Sequence, residues 1–221
     1  QVWGFLIAQH CLKSREWQSS EIAFLQRLSE QVSIAIQQSE LYEQVNIELH
    51  QKRELAEKLH FQAMHDALTQ LPNRSLLMDR LQHTLQVYRR RNTEPRIHFS
   101  LLFLDLNDFK IINDTFGHEA GDELLVIVAD RLQGSLREMD TVARLGGDEF
   151  VVIIEEITGE YDAIEVANRI HSTFADPVDL NGEVVKISTS IGIVLNSPDY
   201  NYPEEMLRDA DIAMYEAKRN G

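Results

Sequence analysis

The chain has 221 residues, with 36 Asp or Glu against 21 Lys or Arg, and its formal net charge is −15. This acidic balance disfavours binding to nucleic acid or to an anionic membrane surface, and 43% hydrophobic residues are ordinary for a globular protein. The single Cys11 excludes an internal disulfide, and no apolar run approaches the length of a membrane span. We therefore expect a cytoplasmic protein that makes no direct membrane contact in this segment, and an anionic ligand would need a local cation.

The first 20 residues are typical of the end of a domain that begins upstream. Residues 1–9 are apolar with Gly4 among them, which predicts one strand. A polar connection follows, and Ser19 or Ser20 is the expected N-cap of the next helix. Because the chain begins with Gln1 in what reads as a strand already under way, we expect a piece of a longer protein.

A long helix is predicted over 21–64, where Pro and Gly are absent. Apolar residues follow a spacing of three and four, and Ser39 and Tyr42 interrupt the heptad phase. The apolar positions are Leu25, Leu28, Val32, Ala35, Val45, Leu49, Ala56, Leu59 and Ala63. The pattern favours a coiled-coil homodimer, and the alternative is a helix folded back on its own domain.

The remainder alternates between helices and strands, and Pro72 marks the turn that begins it. Predicted helices lie at 75–90, 121–137, 161–174 and 203–220, and predicted strands at 97–106, 141–145, 149–154 and 183–195. The central order is strand, helix, strand, strand, helix, strand. This order predicts an α/β (α+β) fold with the ferredoxin-like βαββαβ arrangement and additional helices. The predicted domains are 1–20, 21–64 and 65–221.

Acidic side chains stand where two of these strands end. The apolar strand 97–106 runs out at Asp105. The Gly146-Gly147 pair before Asp148 and Glu149 is expected to supply the positive φ angles of a two-residue hairpin turn. If the two strands are neighbours, Asp105 and Asp148 converge into a hard oxygen site that suits Mg²⁺ and phosphate. The alternative is an ordinary hairpin with solvated acids.

Four separated motifs carry a resemblance to a known family. They are "DALTQLPNR", "DLNDFKIINDTFGHEAGDELL", "RLGGDEF" and "DADIAMYEAK", and together they resemble the GGDEF family of diguanylate cyclases over 65–221. The resemblance implies a fold related to the palm of nucleotidyl cyclases and polymerases. It also implies a reaction in which two GTP condense to cyclic di-GMP and two pyrophosphates are released.

The resemblance also implies roles for individual residues. Asp105, the carbonyl of Leu106 and Asp148 match the ligands of Mg²⁺ (or Mn²⁺). Asp148 also matches the position that activates the 3′-hydroxyl, and Glu149 beside it is predicted to be catalytic as well. Lys110 resembles the transition-state stabiliser, although a solvated surface lysine is the alternative, and Lys218 resembles a phosphate contact. The family more often has Asp where this chain has Asn107.

Base recognition is implied for Asn113, His118 and Asp122. Guanine offers N1–H and N2–H₂ donors, which a carboxylate and an amide complement. The same residues also suit turns and the start of a helix, and a lone histidine is often structural.

Arg137 and Asp140 form an R-x-x-D pair, which resembles the family's inhibitory site for cyclic di-GMP. An arginine fork can bind phosphate or guanine, and the aspartate can accept from guanine. The alternative is a surface ion pair at a helix end.

The N-terminal 45 residues resemble the end of a GAF domain, with "VWGFLIAQH" as its last strand and "WQSSEIAFLQRLSEQVSIAIQQ" as its last helix. We therefore expect a Mg²⁺-dependent diguanylate cyclase that a GAF domain regulates through a dimeric helix. The alternative is a non-catalytic regulatory module that binds GTP or cyclic di-GMP.

Overall fold

A computed structural model describes residues 4–9, 11, 15–90, 98–180 and 182–220. The chain divides into two compact units, Gln1–Leu59 and His60–Gly221. Among the helices of the described ranges, none combines the length and apolar character needed to span a bilayer.

The first unit is dominated by one helix, α1, which runs over Ser19–Met64 and continues into the second unit. Its first turn is capped by a contact outside the helix, because the Gln18 backbone N–H donates to Glu21 Oε2 at 3.0 Å. Ser19 and Ser20 therefore lie inside the helix, and the predicted N-cap was wrong by one or two residues. None of the residues of α1 is buried.

The predicted strand at 1–9 was wrong over the described residues 4–9, which have no regular structure. A strand needs a neighbour to accept and donate its backbone hydrogen bonds. Among the described residues, the first unit has no strand to pair with this segment. Residues 1–3 lie outside the described residues.

The second unit is a four-stranded sheet with helices on both faces. Its elements are α2 (Arg74–Arg90), β1 (His98–Leu106), α3 (Phe109–Phe116), α4 (His118–Gly134), β2 (Thr141–Gly146), β3 (Glu149–Ile157), α5 (Glu160–Phe174), β4 (Val178–Leu180), β5 (Glu183–Val185), β6 (Thr189–Leu195) and α6 (Pro203–Asn220). The sheet order is β2-β3-β1-β6 with every neighbouring pair antiparallel. The strands β1 and β2 therefore run in the same direction with β3 between them, which confirms the predicted ferredoxin-like α+β fold.

Some elements differ from the prediction. Helix α3 was not predicted, and α4 begins at His118 and ends at Gly134, three residues earlier at each end than expected. The cause is Gly117, whose φ of +88° ends α3 and turns the chain directly into α4. Strand β4 and its pairing with β5 were also missed, and the predicted strand 183–195 is divided into β5 and β6 by residues 186–188.

Two apolar layers enclose the sheet. One face packs against α3, α4 and α5, and the other packs against α2 and α6. Successive side chains of the central strand β1 point to opposite faces of the sheet. Leu102 and Leu104 face the first layer, and Leu101 and Phe103 face the second.

Helix α6 approaches β6 most closely at Gly192. A Cβ on this glycine would overlap the carbonyl oxygen of Ala210 and the backbone nitrogen of Met214. Because both atoms belong to the α6 backbone, only a glycine lets the helix lie this close to the sheet. The contact fixes where the last turns of α6, with Lys218, run past the end of β1.

Candidate active site

The carboxylates predicted at the strand ends lie side by side. Asp105 is the penultimate residue of β1 and pairs with Glu149 at the first position of β3. The Leu106 backbone N–H donates to the carbonyl oxygen of Asp148 at 3.3 Å. The structure therefore brings Asp105, the Leu106 backbone and Asp148 together at one edge of the sheet.

The hairpin that carries Asp148 depends on its two glycines. Gly146 has a φ of +147° and Gly147 a φ of +53°, and nothing lies within 4 Å of a Cβ built on either. Glycine is therefore required here because of its positive φ angle, and not because a side chain would lack room. Gly146 pairs with Glu149 and ends β2, so the two turn residues are Gly147 and Asp148. The sequence analysis had expected both glycines in the turn.

Arg144 links this hairpin to the beginning of the domain. Its Nε and Nη2 donate to the Gly147 carbonyl oxygen at 3.0 and 2.9 Å, and its Nη1 donates to Asp66 Oδ1 at 2.8 Å. Asp66 Oδ1 also accepts from the backbone N–H and the hydroxyl of Thr69, at 2.9 and 2.7 Å. The Arg144 backbone N–H donates to the Pro72 carbonyl oxygen at 2.9 Å. Sequence reasoning assigned Asp66 to a turn and missed this connection.

The site is electrostatically unfavourable for its own carboxylates. Burial, followed by the neighbouring charge of Asp105, raises the pKa of Asp148. Burial, followed by the charges of Asp211, Asp105 and Asp148, raises the pKa of Glu149. The Lys218 ammonium forms an ion pair with Asp105 Oδ1, and the Asp105 side chain is only 14% exposed. A cation beside these groups would relieve the repulsion between them.

The donor set fits a hard divalent cation that keeps part of its hydration. Among the described residues there is no group of three or more His, Cys, Asp or Glu side chains able to hold a metal ion. Two carboxylates and the Leu106 carbonyl are the oxygen donors of the predicted set, so phosphate and water would supply the rest. Mg²⁺ is bound in this way in many phosphoryl-transfer enzymes.

The end of β1 is held by hydroxyl and amide groups that the sequence analysis did not identify. Thr189 Oγ1 donates to the Asp105 carbonyl oxygen at 2.9 Å. Asn107 donates through Nδ2 to Ser188 Oγ at 3.0 Å and accepts from Ser190 Oγ at 2.9 Å. Its backbone N–H also donates to the Ser188 carbonyl oxygen at 2.9 Å. Asn107, the departure from the family pattern, therefore anchors the peptide that follows Leu106.

The predicted nucleotide-contacting residues lie on α3 and α4. Lys110 and Asn113 are on α3, with Lys110 exposed and Asn113 partly buried. His118 begins α4, and Asp122 lies one turn further on; both are exposed. The Asn113 side chain lies against Gly121, the residue next to Asp122. This places Asn113 beside the part of α4 that carries Asp122.

The predicted inhibitory pair lies beyond the end of α4. The Arg137 backbone N–H donates to Asp140 Oδ2 at 2.9 Å, and the Glu155 N–H donates to Asp140 Oδ1 at 3.3 Å. Within the described residues no ion pair joins the two side chains, so the alternative of a helix-end ion pair is not what the structure shows. Both line a surface pocket of about 340 Å³, together with Arg80 and His65.

Comparison with known proteins decides the family. Residues 63–221 match the profile of the diguanylate cyclase GGDEF domain. The chain belongs to the GGDEF family. Residues 1–36 match the profile of the GAF domain.

Two curated relatives and one solved structure show the extent of this GGDEF protein's likeness. Diguanylate cyclase TpbB of Pseudomonas aeruginosa (strain UCBPP-PA14) is 45% identical over 162 residues, which are 73% of this chain and 36% of TpbB. Bifunctional diguanylate cyclase/cyclic di-GMP phosphodiesterase MucR of P. aeruginosa PAO1 is 44% identical over 159 residues, 72% of this chain and 22% of MucR. A structure of the TpbB GGDEF domain from P. aeruginosa PAO1 has a TM-score of 0.66 at 44% identity, covering 71% of this chain and 90% of that one. The chain therefore spans about a third of TpbB and about a fifth of MucR.

Proposed function

We propose that residues 65–221 form a diguanylate cyclase domain that condenses two GTP to cyclic di-GMP and releases two pyrophosphates. The observation that carries the proposal is the convergence of Asp105, the Leu106 backbone and Asp148 at one sheet edge, with the Lys218 ammonium on Asp105. Family membership and the likeness to the diguanylate cyclase TpbB support the same reaction.

The chemistry assigned to this edge is phosphoryl transfer. Mg²⁺ (or Mn²⁺) held by Asp105, the Leu106 carbonyl and Asp148 would lower the pKa of the attacking 3′-hydroxyl and stabilise the pyrophosphate leaving group. The Asp148 carboxylate, whose pKa is raised by burial and by Asp105, would accept a hydrogen bond from that hydroxyl. Glu149 follows it on β3 and adds negative charge beside the same position.

Two lysines would serve the triphosphate. Lys218, whose ammonium forms an ion pair with Asp105, would contact phosphate oxygens of the bound nucleotide. Lys110 is exposed in the first turn of α3 and would bring a further positive charge. Both positive charges would stabilise the negative charge that develops on the phosphates in the transition state.

Guanine would be recognised at the junction of α3 and α4. Asp122 accepts from the N1–H and N2–H₂ donors, and the Asn113 amide completes the edge, with His118 close by at the start of α4. Adenine has no N1–H, so an acceptor carboxylate at Asp122 selects for guanine by leaving itself unpaired with ATP.

A homodimer would bring two such domains together. Each domain offers one nucleotide position while the product joins two GTP symmetrically, so the sites must face each other. Helix α1 presents apolar side chains without burying them: Leu28, Val32 and Leu49 are 40%, 45% and 48% exposed. A coiled coil over 21–64 would cover these residues and hold the domains at high effective concentration.

Regulation is proposed at two places. Residues 1–20 would be the end of a GAF domain whose state reaches the cyclase domain through the helix at 21–64. The pocket at Arg137 and Asp140 would bind cyclic di-GMP as a product inhibitor, since an exposed guanidinium and a nearby carboxylate complement phosphate and guanine. In both proposals the regulated quantity is the rate at which the domain forms cyclic di-GMP.

The proposed function is tested by incubating the protein with GTP and Mg²⁺ and separating the nucleotides by chromatography. We expect cyclic di-GMP and pyrophosphate in a ratio of one to two. GTP binding without any cyclic di-GMP, from a preparation shown to be dimeric, would instead favour a non-catalytic module that senses GTP or cyclic di-GMP.

A further inference from the structure

The corner between α3 and α4 sets up a close contact between the two helices. Gly117, with a φ of +88°, ends α3 and donates its N–H to the Asn113 carbonyl oxygen at 2.9 Å. The first turn of α4 continues from it, and the Gly121 N–H donates to the Gly117 carbonyl oxygen at 3.2 Å. The chain therefore returns along α3 at once, and the start of α4 lies against residues of α3.

Gly121 lies directly against α3. It is buried, and a Cβ built on it would overlap Asn113 Oδ1, with Asn113 Cγ 3.0 Å and Phe109 Cζ 3.4 Å away. The contact with Phe109 is an ordinary van der Waals distance, whereas the contact with the Asn113 carboxamide is not. The Asn113 carboxamide therefore occupies the space that any side chain at position 121 would fill.

The neighbouring residues leave little freedom for adjustment. Phe109 and Ile112 on α3 and Leu124 on α4 are buried in the same apolar layer, and Ala120 on α4 is buried as well. The helix backbones cannot separate without opening that layer, so a side chain at 121 would displace the Asn113 carboxamide rather than the helices. A helix is less stable with glycine than with alanine at an interior position, so the glycine at 121 is explained by the close contact with Asn113.

We infer that Gly121 is a positioning residue for guanine recognition: its missing side chain lets the Asn113 carboxamide lie beside Asp122. The inference rests on the proposed function, in which Asn113 and Asp122 contact the base. Gly121 itself touches no nucleotide and acts through Asn113. The glycine thereby contributes to selectivity for guanine nucleotides rather than to the chemical step.

The test compares GTP with ITP, which lacks the 2-amino group, in steady-state kinetics. Gly121→Ala should raise KM for GTP about tenfold with a smaller change in kcat, and should lower the preference for GTP over ITP by about the same factor. Gly134→Ala is the matched control, because Gly134 ends the same helix and nothing lies within 4 Å of its Cβ. This control should keep both parameters of the wild type.

The same change made in an Asn113→Ala variant separates an effect on the Asn113 carboxamide from a general effect on helix packing. Asn113→Ala removes the atoms that a Cβ at 121 would overlap, so adding Gly121→Ala to it should change KM for GTP less than about twofold. If Gly121→Ala does not fold but the double variant does, the overlap with Asn113 is confirmed as the only obstacle. Wild-type selectivity in Gly121→Ala, an equal loss in the Asn113→Ala background, or failure of both variants to fold would overturn the inference.

Failure of the proposed function would look different. If the wild-type protein binds a fluorescent GTP analogue but forms no cyclic di-GMP, the cyclase proposal fails. Competition by GTP and ITP for that analogue then measures the same selectivity in Gly121→Ala and Gly134→Ala. A competition profile for Gly121→Ala identical to that of the wild type would overturn the positioning role.

Discussion

Arg144 donates hydrogen bonds to both Asp66 and the Gly147 carbonyl oxygen, so one guanidinium joins the start of the domain to the hairpin that carries Asp148. The Arg144 side chain is only 10% exposed and that of Asp66 22% exposed. An ion pair this shielded from water, with each partner also hydrogen-bonded to backbone, stabilises more than an exposed pair does.

We predict a pH-dependent loss of stability in Asp66→Asn. Burial alone would raise the pKa of Asp66, but hydrogen bonds from the Thr69 N–H, Arg144 and the Thr69 hydroxyl lower it below its usual value. The stability that ionised Asp66 contributes is therefore present above the unfolded-state pKa of about 3.9 and lost as pH falls through the lower folded-state pKa. At pH 7 the variant should lose about 1.5 kcal/mol in urea unfolding.

The difference from the wild type should shrink below a pH of about 4, because Asp66 is then protonated in an increasing fraction of both states. Asp79→Asn, at an exposed position on α2, is the control. It should match the wild type at pH 7 and below a pH of about 4. If Asp66→Asn is as stable as the wild type at pH 7, or if its loss of stability does not change with pH, the charge of Asp66 does not have this role.

Arg137 provides a second prediction. The Asp140 carboxylate is held by backbone N–H groups, so the Arg137 guanidinium remains exposed at the pocket. Arg137→Ala should therefore raise the concentration of cyclic di-GMP that halves the rate by about tenfold or more, as expected for losing a charge-assisted contact. Arg208→Ala, an exposed arginine of α6, is the control. Equal inhibition of wild type and Arg137→Ala by added cyclic di-GMP would remove Arg137 from the inhibitory site.

At the scale of the elements, the packing of α6 on β6 positions Lys218. A Cβ at Gly192 would meet backbone atoms of Ala210 and Met214, which cannot rotate away as a side chain can. Gly192→Ala should shift α6, cost about 1–3 kcal/mol in stability, and raise KM for GTP by moving Lys218 away from Asp105. Gly134→Ala, where nothing lies within 4 Å of the Cβ, is the control. If Gly192→Ala keeps the stability and KM of the wild type, the close packing of α6 on β6 does not position Lys218.

The sequence predicted the long elements well because their signal is local. Continuous apolar runs identified β1 and β3, helical spacing identified α5 and α6, and the motifs located Asp105 and Asp148. Helix α3 was missed because its eight residues bury only Phe109 and Ile112, and its end depends on the backbone angle of Gly117. The strand at 1–9 was predicted from composition alone, which does not reveal whether a pairing strand is present.

Within the site, contacts between distant residues could not be read from the sequence. Asp66 and Arg144 are 78 residues apart, and Thr189 and Asp105 are 84 apart. Each contact follows from the sheet order and from the turn at Pro72, which sequence periodicity does not specify. A glycine beside Asp122 was visible in the sequence, but its contact with Asn113 depends on how α3 and α4 pack.

Over the whole molecule, the net charge of −15 contrasts with the proposed substrate GTP, which is itself an anion. Local cations at Lys110 and Lys218, together with a bound divalent ion, would offset this repulsion at the site. The exposed apolar side chains of α1 and the symmetry of the product both favour two copies of the chain acting together.

Removing residues 1–59 tests that arrangement, because the cut follows the boundary between the two compact units. Without α1 to hold two domains together, specific activity should rise steeply with protein concentration, whereas the full chain should show little dependence. Rates measured over about a hundredfold range of concentration would show the difference. Specific activity of the truncated protein that does not change on dilution would contradict the tethering role of α1.

Asp105 and Asp148 are together proposed to form the site that converts GTP to cyclic di-GMP. The most direct measurement is the initial rate of cyclic di-GMP formation from GTP and Mg²⁺ by Asp148→Asn, beside Asp130→Asn, an exposed position on α4, as control. We predict a loss of at least about a hundredfold for Asp148→Asn with the circular dichroism spectrum of the wild type, and no loss for Asp130→Asn. A folded Asp148→Asn protein that retains most of the wild-type rate would contradict the account.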